Sequence, residues 1–146
     1  MSQIRIANKQ DESHIRALAK DALASIGKEI DLDGDDADLK NIEWSYFGRD
    51  GGFFVLEVDG AVAGFGGVTK LSDDAAEIKR LYVKPDENRK ESLLQLLDMV
   101  LDFARKMDYR LVECAQIAAQ FAGPGTLEKR GFKVKDGKLV GNLWSA

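Results

Sequence analysis

The chain has 146 residues, a length typical of one domain, so we expect a single domain over residues 1–146. Hydrophobic residues make up 45% of it and charged residues 32%, which excludes a disordered or collagen-like chain. The formal net charge of -4 gives no general attraction to nucleic acid or to an anionic membrane.

Two further features bear on the compartment. The N-terminal residues show no signal-peptide pattern, and no apolar run is long enough to cross a bilayer. The one cysteine, Cys114, cannot form a disulfide within the chain. We therefore expect a cytoplasmic protein that binds neither nucleic acid nor membrane.

The first half of the chain predicts a strand, two helices and a β-hairpin. Ile4 and Ile6 alternate with polar residues, and residues 11–23 carry an apolar stripe at helical spacing behind a predicted N-cap, Asp11. Residues 29–38 are rich in aspartate and predict an exposed loop, which a short helix over 38–49 follows. The Asp59-Gly60 pair lies between two β-rich runs and predicts a tight turn.

The second half predicts a strand, a long helix, a strand, a short helix and a closing hairpin. In residues 76–85, AEIKRLYVKP, the apolar residues do not alternate cleanly, and a bulge explains this. Apolar residues at helical spacing predict a helix over 91–107, with a stripe that includes Leu93 and Met107. Residues 109–115 predict a strand and residues 123–130 a helix, and the hairpin turns at Asp136-Gly137. The fold class is mixed α/β, with helices on the faces of one sheet.

The order of these elements, with GGFFVLEVDGAVAGFGGV (51–68), AEIKRLYVKP (76–85) and LEKRGFKV (127–134), resembles the GNAT superfamily of acyl-CoA-dependent N-acetyltransferases. The resemblance covers nearly the whole chain. It implies a central, mostly antiparallel, twisted sheet of six or seven strands, in which strands 4 and 5 splay apart at a bulge. It also implies that the backbone of Leu81, Tyr82 and Val83 binds the pantetheine arm of acetyl-CoA in that slot.

The resemblance places the pyrophosphate loop of the family, Gln/Arg-x-x-Gly-x-Gly/Ala, on six residues: Asn88, Arg89, Lys90, Glu91, Ser92 and Leu93. Backbone amides at a helix N-terminus attract phosphate, and glycine lets it come close. Here Glu91 and Leu93 hold the glycine positions. Asn88 and Glu91 also have the spacing of a capping box, in which the helix supplies its own carboxylate. In the other interpretation, Arg89 and Lys90 still provide positive charge for the phosphates.

The resemblance also suggests catalytic residues, because amine acetylation needs a base for the ammonium and an acid for the departing thiolate. Glu77 matches a position where many members carry a glutamate base, and its alternative is an exposed strand charge near Lys79. The usual acid position holds Leu127, which has no proton to give. Tyr82 and Tyr109 are the remaining candidates for the acid, and the alternative for both is a packing role.

Other chemical groups give no second site. Cys114 and His14 lie on separate elements and predict neither a nucleophile pair nor a zinc site, and we expect Cys114 to be buried. Asp31, Asp33 and Asp35 alternate as in a calcium loop, but the residues that an EF-hand requires at its sixth and twelfth positions are absent. We therefore predict no metal site.

The region between the first two helices borders the acceptor site in the family. The acidic loop there either attracts a cationic amine or is an ordinary solvated loop. Likewise, Trp44, Tyr46 and Phe47 either line an acceptor pocket or pack the short helix onto the sheet.

The residues thus leave two hypotheses for function. The first is a GNAT-type transferase that moves an acetyl group from acetyl-CoA to a small-molecule or peptide amine. The second is a non-catalytic binding or regulatory module of the same fold that has lost CoA binding. The apolar residues Leu139, Val140, Leu143 and Trp144 predict either a homodimer through the last hairpin or packing within one chain.

Overall fold

The computed structural model describes residues 2–86, 88–122 and 125–144. Within these residues, seven strands form one sheet: β1 Ser2–Ile6, β2 Gly52–Val58, β3 Ala61–Lys70, β4 Ala75–Val83, β5 Leu111–Cys114, β6 Lys133–Lys135 and β7 Lys138–Asn142. The α-helices of the same residues are α1 Glu12–Ala24, α2 Ile42–Ser45, α3 Arg89–Lys106 and α4 Gln116–Ala122.

The strands lie in the order β1-β2-β3-β4-β5-β7-β6, and neighbours are antiparallel except for the parallel pair β4 and β5. One apolar cluster joins the sheet to α3, with Leu96 and Leu97 fully buried. A second cluster lies on the other face, where Ile15 of α1 and Ile42 of α2 contact the sheet. The predicted fold class, a mostly antiparallel sheet with helices on both faces, is confirmed.

β4 carries the predicted bulge. Gly67 pairs with Arg80, but the next residue of β3 pairs with Ile78, so Lys79 is the extra residue. β5 pairs with β4 only as far as Cys114, opposite Ile78. Beyond this point β4 continues alone on that side, so the predicted splay of strands 4 and 5 is also confirmed.

Both predicted hairpin turns are present. Asp59 and Gly60 have φ values of 51° and 85°, and Asp136 and Gly137 have 53° and 80°. A two-residue turn of this kind needs positive φ at both positions, which glycine and aspartate tolerate better than most residues. The turns fix the registers of β2 with β3 and of β6 with β7.

Asp11 is the N-cap residue of α1, as predicted, but it does not cap the helix with its side chain. The Asp11 side chain makes no capping hydrogen bond to α1. Its carboxylate instead accepts hydrogen bonds from the Arg5 guanidinium at 2.8 and 2.9 Å and from the Asn8 amide at 2.8 Å. Asp11 therefore ties β1 to the turn that precedes α1.

The helical segments differ from the prediction in three places. Residues 38–49 form the short α2 between two single 3-10 turns, not one helix. α4 was not predicted, although Ala118, Phe121 and Ala122 have helical spacing. Of the helix predicted over 123–130, the structure has only a 3-10 turn at Glu128–Arg130, and residues 123 and 124 lie outside the described residues. α3 ends at Lys106, so Met107 of the predicted stripe is 41% exposed.

The last hairpin forms one edge of the sheet, with β6 outermost. Leu139 and Leu143 pack against the core. Trp144, by contrast, is 67% exposed, and Val134 on β6 is 76% exposed. A homodimer through this edge stays a prediction. None of the helices found in the described ranges is both long and apolar enough to span a membrane.

Candidate active site

The splay leaves one edge of β4 without a strand partner. The Lys84 N–H donates to the Ala63 carbonyl of β3 at 2.8 Å. Because hydrogen bonding alternates along an antiparallel pair, Tyr82 also faces β3, and the backbone groups of Leu81 and Val83 face away from it. Two of the three residues predicted to bind pantetheine therefore present backbone donors and acceptors to the splayed side.

Helix α4 covers this edge. Its Ala118 is buried, and the ring of Phe121 meets the ring of Tyr82 edge-on with centroids 5.8 Å apart. The cavity that remains beside Leu81 and Tyr82 is about 10 Å³, room for roughly one water molecule. A pantetheine arm does not fit beside β4 with α4 in this position.

There is more space behind α4. A cavity of about 620 Å³ lies between this helix and the last hairpin, lined among others by Cys114, Ala119, Leu127 and Leu139.

The start of α3 does not form the predicted capping box. The Asn88 side chain accepts no capping hydrogen bond, and the Asn88 amide donates to the Asp86 carboxylate at 2.8 Å instead of to Glu91. Glu91 and Lys90 are exposed, and Leu93 is 3% exposed within the core. At the second glycine position the side chain therefore points into the protein, away from the loop that would face phosphate.

Arg89 places a positive charge where β4 meets α3. Its Nε donates to the Val83 carbonyl at 2.8 Å, and its guanidinium lies 5.5 Å from the centre of the Tyr82 ring. Its two Nη atoms make no hydrogen bond to the described part of the chain. The open edge of β4 and Arg89 thus offer groups complementary to the pantetheine amides and the phosphates of a CoA, whereas the gap under α4 is too small for the pantetheine arm.

Glu77 lies on β4 one residue before the last pairing with β5. It is half-buried and lines a cavity of about 420 Å³ between β4 and the α2 region, with Asp38, Ser45 and Arg49 among its neighbours. Within the described chain its carboxylate makes no hydrogen bond or ion pair, whereas Glu113, opposite it on β5, pairs with Lys138. The unpaired Glu77 carboxylate lies where β4 and β5 separate, and it is suitably placed there to accept a proton.

The candidate acids differ in their surroundings. Burial raises the pKa of Tyr82, although the Arg89 charge lowers it in part. Tyr82 therefore keeps its proton at neutral pH. The Tyr109 hydroxyl already donates to the Asp50 carbonyl at 2.9 Å, and Leu127 is buried in the core. Of the two predicted tyrosines, only Tyr82 lies beside the slot.

The acidic loop is only partly solvated. Asp36 and Asp38 accept hydrogen bonds from the Arg80 guanidinium at 2.9 and 2.6 Å, and the Tyr46 hydroxyl donates to Asp38. This buried cluster ties the loop to β4. Sequence reasoning missed it, because Arg80 lies 42 residues from Asp38 and nothing local marks the pair. Tyr46 packs the α2 region onto the sheet, which is one of the two roles that the sequence left open for it.

Other predicted candidates lie elsewhere. Trp44 and Phe47 line a separate surface depression with Asn41, Glu43 and Gly48. Cys114 is buried, as predicted, and burial raises the pKa of its thiol to about 12, so it stays protonated. Asp33 pairs with Lys40. A search of the described residues gave no group of three or more side chains that could hold a metal ion.

Comparison with known proteins establishes the family. Residues 15–132 match the sequence model of the Acetyltransferase (GNAT) family. The chain belongs to the GNAT acetyltransferase family. No curated protein matched it in a sequence comparison.

Solved structures of GNAT proteins have the same fold. A GNAT acetyltransferase from Staphylococcus aureus Mu50 is 20% identical with a TM-score of 0.83, and the match covers 98% of this chain and 99% of that one. The protein yncA from Salmonella typhimurium, solved with its cofactor acetyl-CoA, is 19% identical with a TM-score of 0.73, covering 99% and 95%. The PaiA N-acetyltransferase from Thermoplasma acidophilum, solved with coenzyme A, is 19% identical with a TM-score of 0.68, covering 96% of each chain. At these identities the likeness shows the shared fold.

Proposed function

We propose that this GNAT protein transfers an acetyl group from acetyl-CoA to the amine of a small molecule or peptide. The observation that carries the proposal is the position of Glu77. An uncommitted carboxylate lines an open cavity at the point where β4 leaves β5 after Ile78. Family membership supports the same activity.

Acetyl-CoA would supply an activated acyl group as a thioester. The residues suited to hold it are Leu81, through its outward backbone groups, Val83, through its N–H, since its carbonyl already accepts from Arg89, and Arg89 itself, through its free Nη atoms. Lys90 adds an exposed positive charge at the start of α3. The remaining residues of the predicted phosphate loop would contribute their backbone groups and not their side chains. They are Asn88, Glu91, Ser92 and Leu93.

Transfer requires two proton movements, since the ammonium must lose a proton before its nitrogen attacks and the sulfur must gain one as the C–S bond breaks. Glu77 accepts the first proton from its place in the cavity. Tyr82 gives the second, because burial keeps its hydroxyl protonated at neutral pH. Solvent then takes the proton from Glu77 and returns one to Tyr82.

A non-catalytic binding module is the second candidate function. The gap of about 10 Å³ beside Tyr82 and the leucine at the usual acid position, Leu127, both favour it. The two candidates differ in two respects. One is whether α4 moves to admit a CoA, and the other is whether the protein transfers a bound acyl group.

Calorimetric titration of the purified protein with acetyl-CoA separates them first. Transferase function predicts binding, followed by release of free CoA thiol with at least one amine of a broad panel. The rate should fall in Glu77→Gln while acetyl-CoA binding stays unchanged. The absence of detectable acetyl-CoA binding would contradict the transferase and support the second candidate, and tight binding without transfer to any amine would count against the transferase.

A further inference from the structure

The cavity lined by Glu77 has a mixed charge that bears on the acceptor. Its walls carry three basic side chains, Arg49, Lys70 and Lys79, and two acidic ones, Asp38 and Glu77. Charges at a binding site select ligands of complementary charge, and like charges brought together are costly. The ligand is therefore constrained by whichever of these groups is not already neutralised within the protein.

Two of the five charges are neutralised. Asp38 forms an ion pair with Arg80 at 2.6 Å, with both side chains largely buried. Lys70 forms an ion pair with Asp73 at 3.2 Å. Neither group needs a ligand as its partner.

The other three charges have no ionic partner in the described residues. Glu77 and Lys79 make no side-chain hydrogen bond or ion pair there, although Lys138, which pairs with Glu113, is near enough for the Glu77 charge to raise its pKa. The Arg49 guanidinium only stacks on Trp44, 4.5 Å from its ring centre, and both Arg49 and Lys79 are exposed. The cavity therefore offers one uncommitted carboxylate and two uncommitted cations.

Glu77 and Lys79 lie at the place where β4 and β5 separate. Glu77 and Lys79 flank Ile78, the last residue of β4 that pairs with β5, and Lys79 lines both this cavity and the small gap beside Tyr82. A ligand in the cavity would thus lie next to the acyl slot, with Glu77 and Lys79 both within its reach.

We infer that the acceptor is an amine that also carries a carboxylate, a molecule of the amino acid class. Its ammonium pairs with Glu77, and its carboxylate pairs with Lys79 and Arg49. A simple cationic amine would leave both cations unpaired and would be repelled by them. The inference rests on the proposed transferase function and specifies its substrate.

It also replaces the idea that the acidic loop attracts a cationic amine. Asp38 is the carboxylate of that loop that lines the cavity, and Arg80 neutralises both Asp38 and Asp36. The charges that select the acceptor are instead those of Glu77 and Lys79 on β4 and of Arg49 at the end of the α2 region.

The test compares amines with and without a carboxylate. Free L-amino acids and the corresponding L-amino acid amides are assayed as acceptors with acetyl-CoA, and kcat and KM are measured separately. The amide releases its ammonium proton more readily, so this bias works against the expected result. We expect the free acid to have at least about a tenfold higher kcat/KM.

Substitutions then locate the effect. Lys79→Gln and Arg49→Gln should raise KM for the free acid and abolish its advantage over the amide, with little change in kcat for the amide. Lys106→Gln is the matched control, because Lys106 is an exposed lysine at the end of α3 and its loss removes the same charge. Thermal melts establish that each variant is folded.

The inference and the proposed function fail in different ways. Equal or faster acetylation of amides and simple amines would overturn the inference and leave the transferase standing. If no amine is acetylated, calorimetric titration of the wild-type protein with the same acids and amides still decides, since the free acids should bind and lose affinity in Lys79→Gln. Equal or absent binding of acids and amides overturns the inference.

Discussion

Replacing Arg80 by methionine tests the buried charge cluster that joins the acidic loop to β4. The Arg80 side chain is 11% exposed, and those of Asp36 and Asp38 are 6% and 16% exposed. Arg80→Met keeps much of the volume of the side chain but removes every hydrogen bond to the two carboxylates. They then remain close together with no cation between them.

The expected cost is large because the partners stay buried. Removing one member of a buried ion pair typically costs about 3–5 kcal/mol, since the remaining charge is desolvated and unpaired. A surface ion pair is worth only about 0–1 kcal/mol. Arg105, which is 50% exposed and pairs with Asp102 at 3.1 Å, is the matched control. Arg105→Met should therefore change the free energy of unfolding by less than about 1 kcal/mol.

The effect should depend on pH in a defined direction. Burial raises the pKa of Asp38, but hydrogen bonds and charge from Arg80 outweigh it and hold the pKa below the ordinary 3.8. The stabilisation from ionised Asp38 is therefore complete above pH 3.8 and is lost as the pH falls through the lowered value. In Arg80→Met the charge and hydrogen bonds of Arg80 are lost, while burial and the hydrogen bond from Tyr46 remain. Protonation of Asp38 then relieves part of the penalty, and the difference between the two proteins shrinks on acidification.

Urea denaturation at pH 7 and at several values down to about pH 4 measures this difference. Adding Asp38→Asn to Arg80→Met should recover part of the lost free energy at pH 7, since it removes one uncompensated charge. A loss at pH 7 no larger than that of Arg105→Met, or a loss that grows toward low pH, would refute the assignment of a buried ion pair.

Three further predictions concern the proposed transferase. Glu77→Gln should lower kcat by about 10²- to 10⁴-fold, the usual value of general base catalysis, with the acetyl-CoA dissociation constant unchanged; an unchanged kcat would remove Glu77 as the base. Phe121→Ala should tighten acetyl-CoA binding on the order of fivefold in calorimetry, because it favours the open slot; weaker binding would show that Phe121 supports the bound form. Arg89→Gln should weaken acetyl-CoA binding at least about tenfold through the loss of charge-assisted hydrogen bonds, whereas the exposed Lys90→Gln should cost less, and equal losses would contradict the special position of Arg89.

Local patterns in the sequence determined most of the fold. A two-residue hairpin turn needs positive φ at both positions, so Asp59-Gly60 and Asp136-Gly137, each placed between two β-rich runs, specified two hairpins without tertiary information. The apolar stripe of α3 specified a helix that a sheet must cover. The break in alternation around Ile78 and Leu81 indicated the bulge, and with it the place where β4 and β5 separate.

Shorter elements escaped prediction, since a single turn carries too little periodicity to be distinguished from a loop. The capping box of Asn88 and Glu91 failed for a related reason. Several carboxylates near a helix start can reach the same amide, and here Asp86 occupies it. Spacing in the chain cannot rank such competitors.

The sequence by itself determined the two hairpins, the long helix α3 and the bulge of β4, because each depends on residues close together in the chain. The splay of the sheet and the candidate base Glu77 were implied by the resemblance to the GNAT superfamily. Only the tertiary structure decided which charges are neutralised: Arg80 meets Asp36 and Asp38 across more than forty residues, and Lys79 and Arg49 meet at one cavity from separate elements. It also placed α4 over the open edge of β4. Pairings between distant segments depend on how the whole sheet and its helices pack, and no local pattern encodes them.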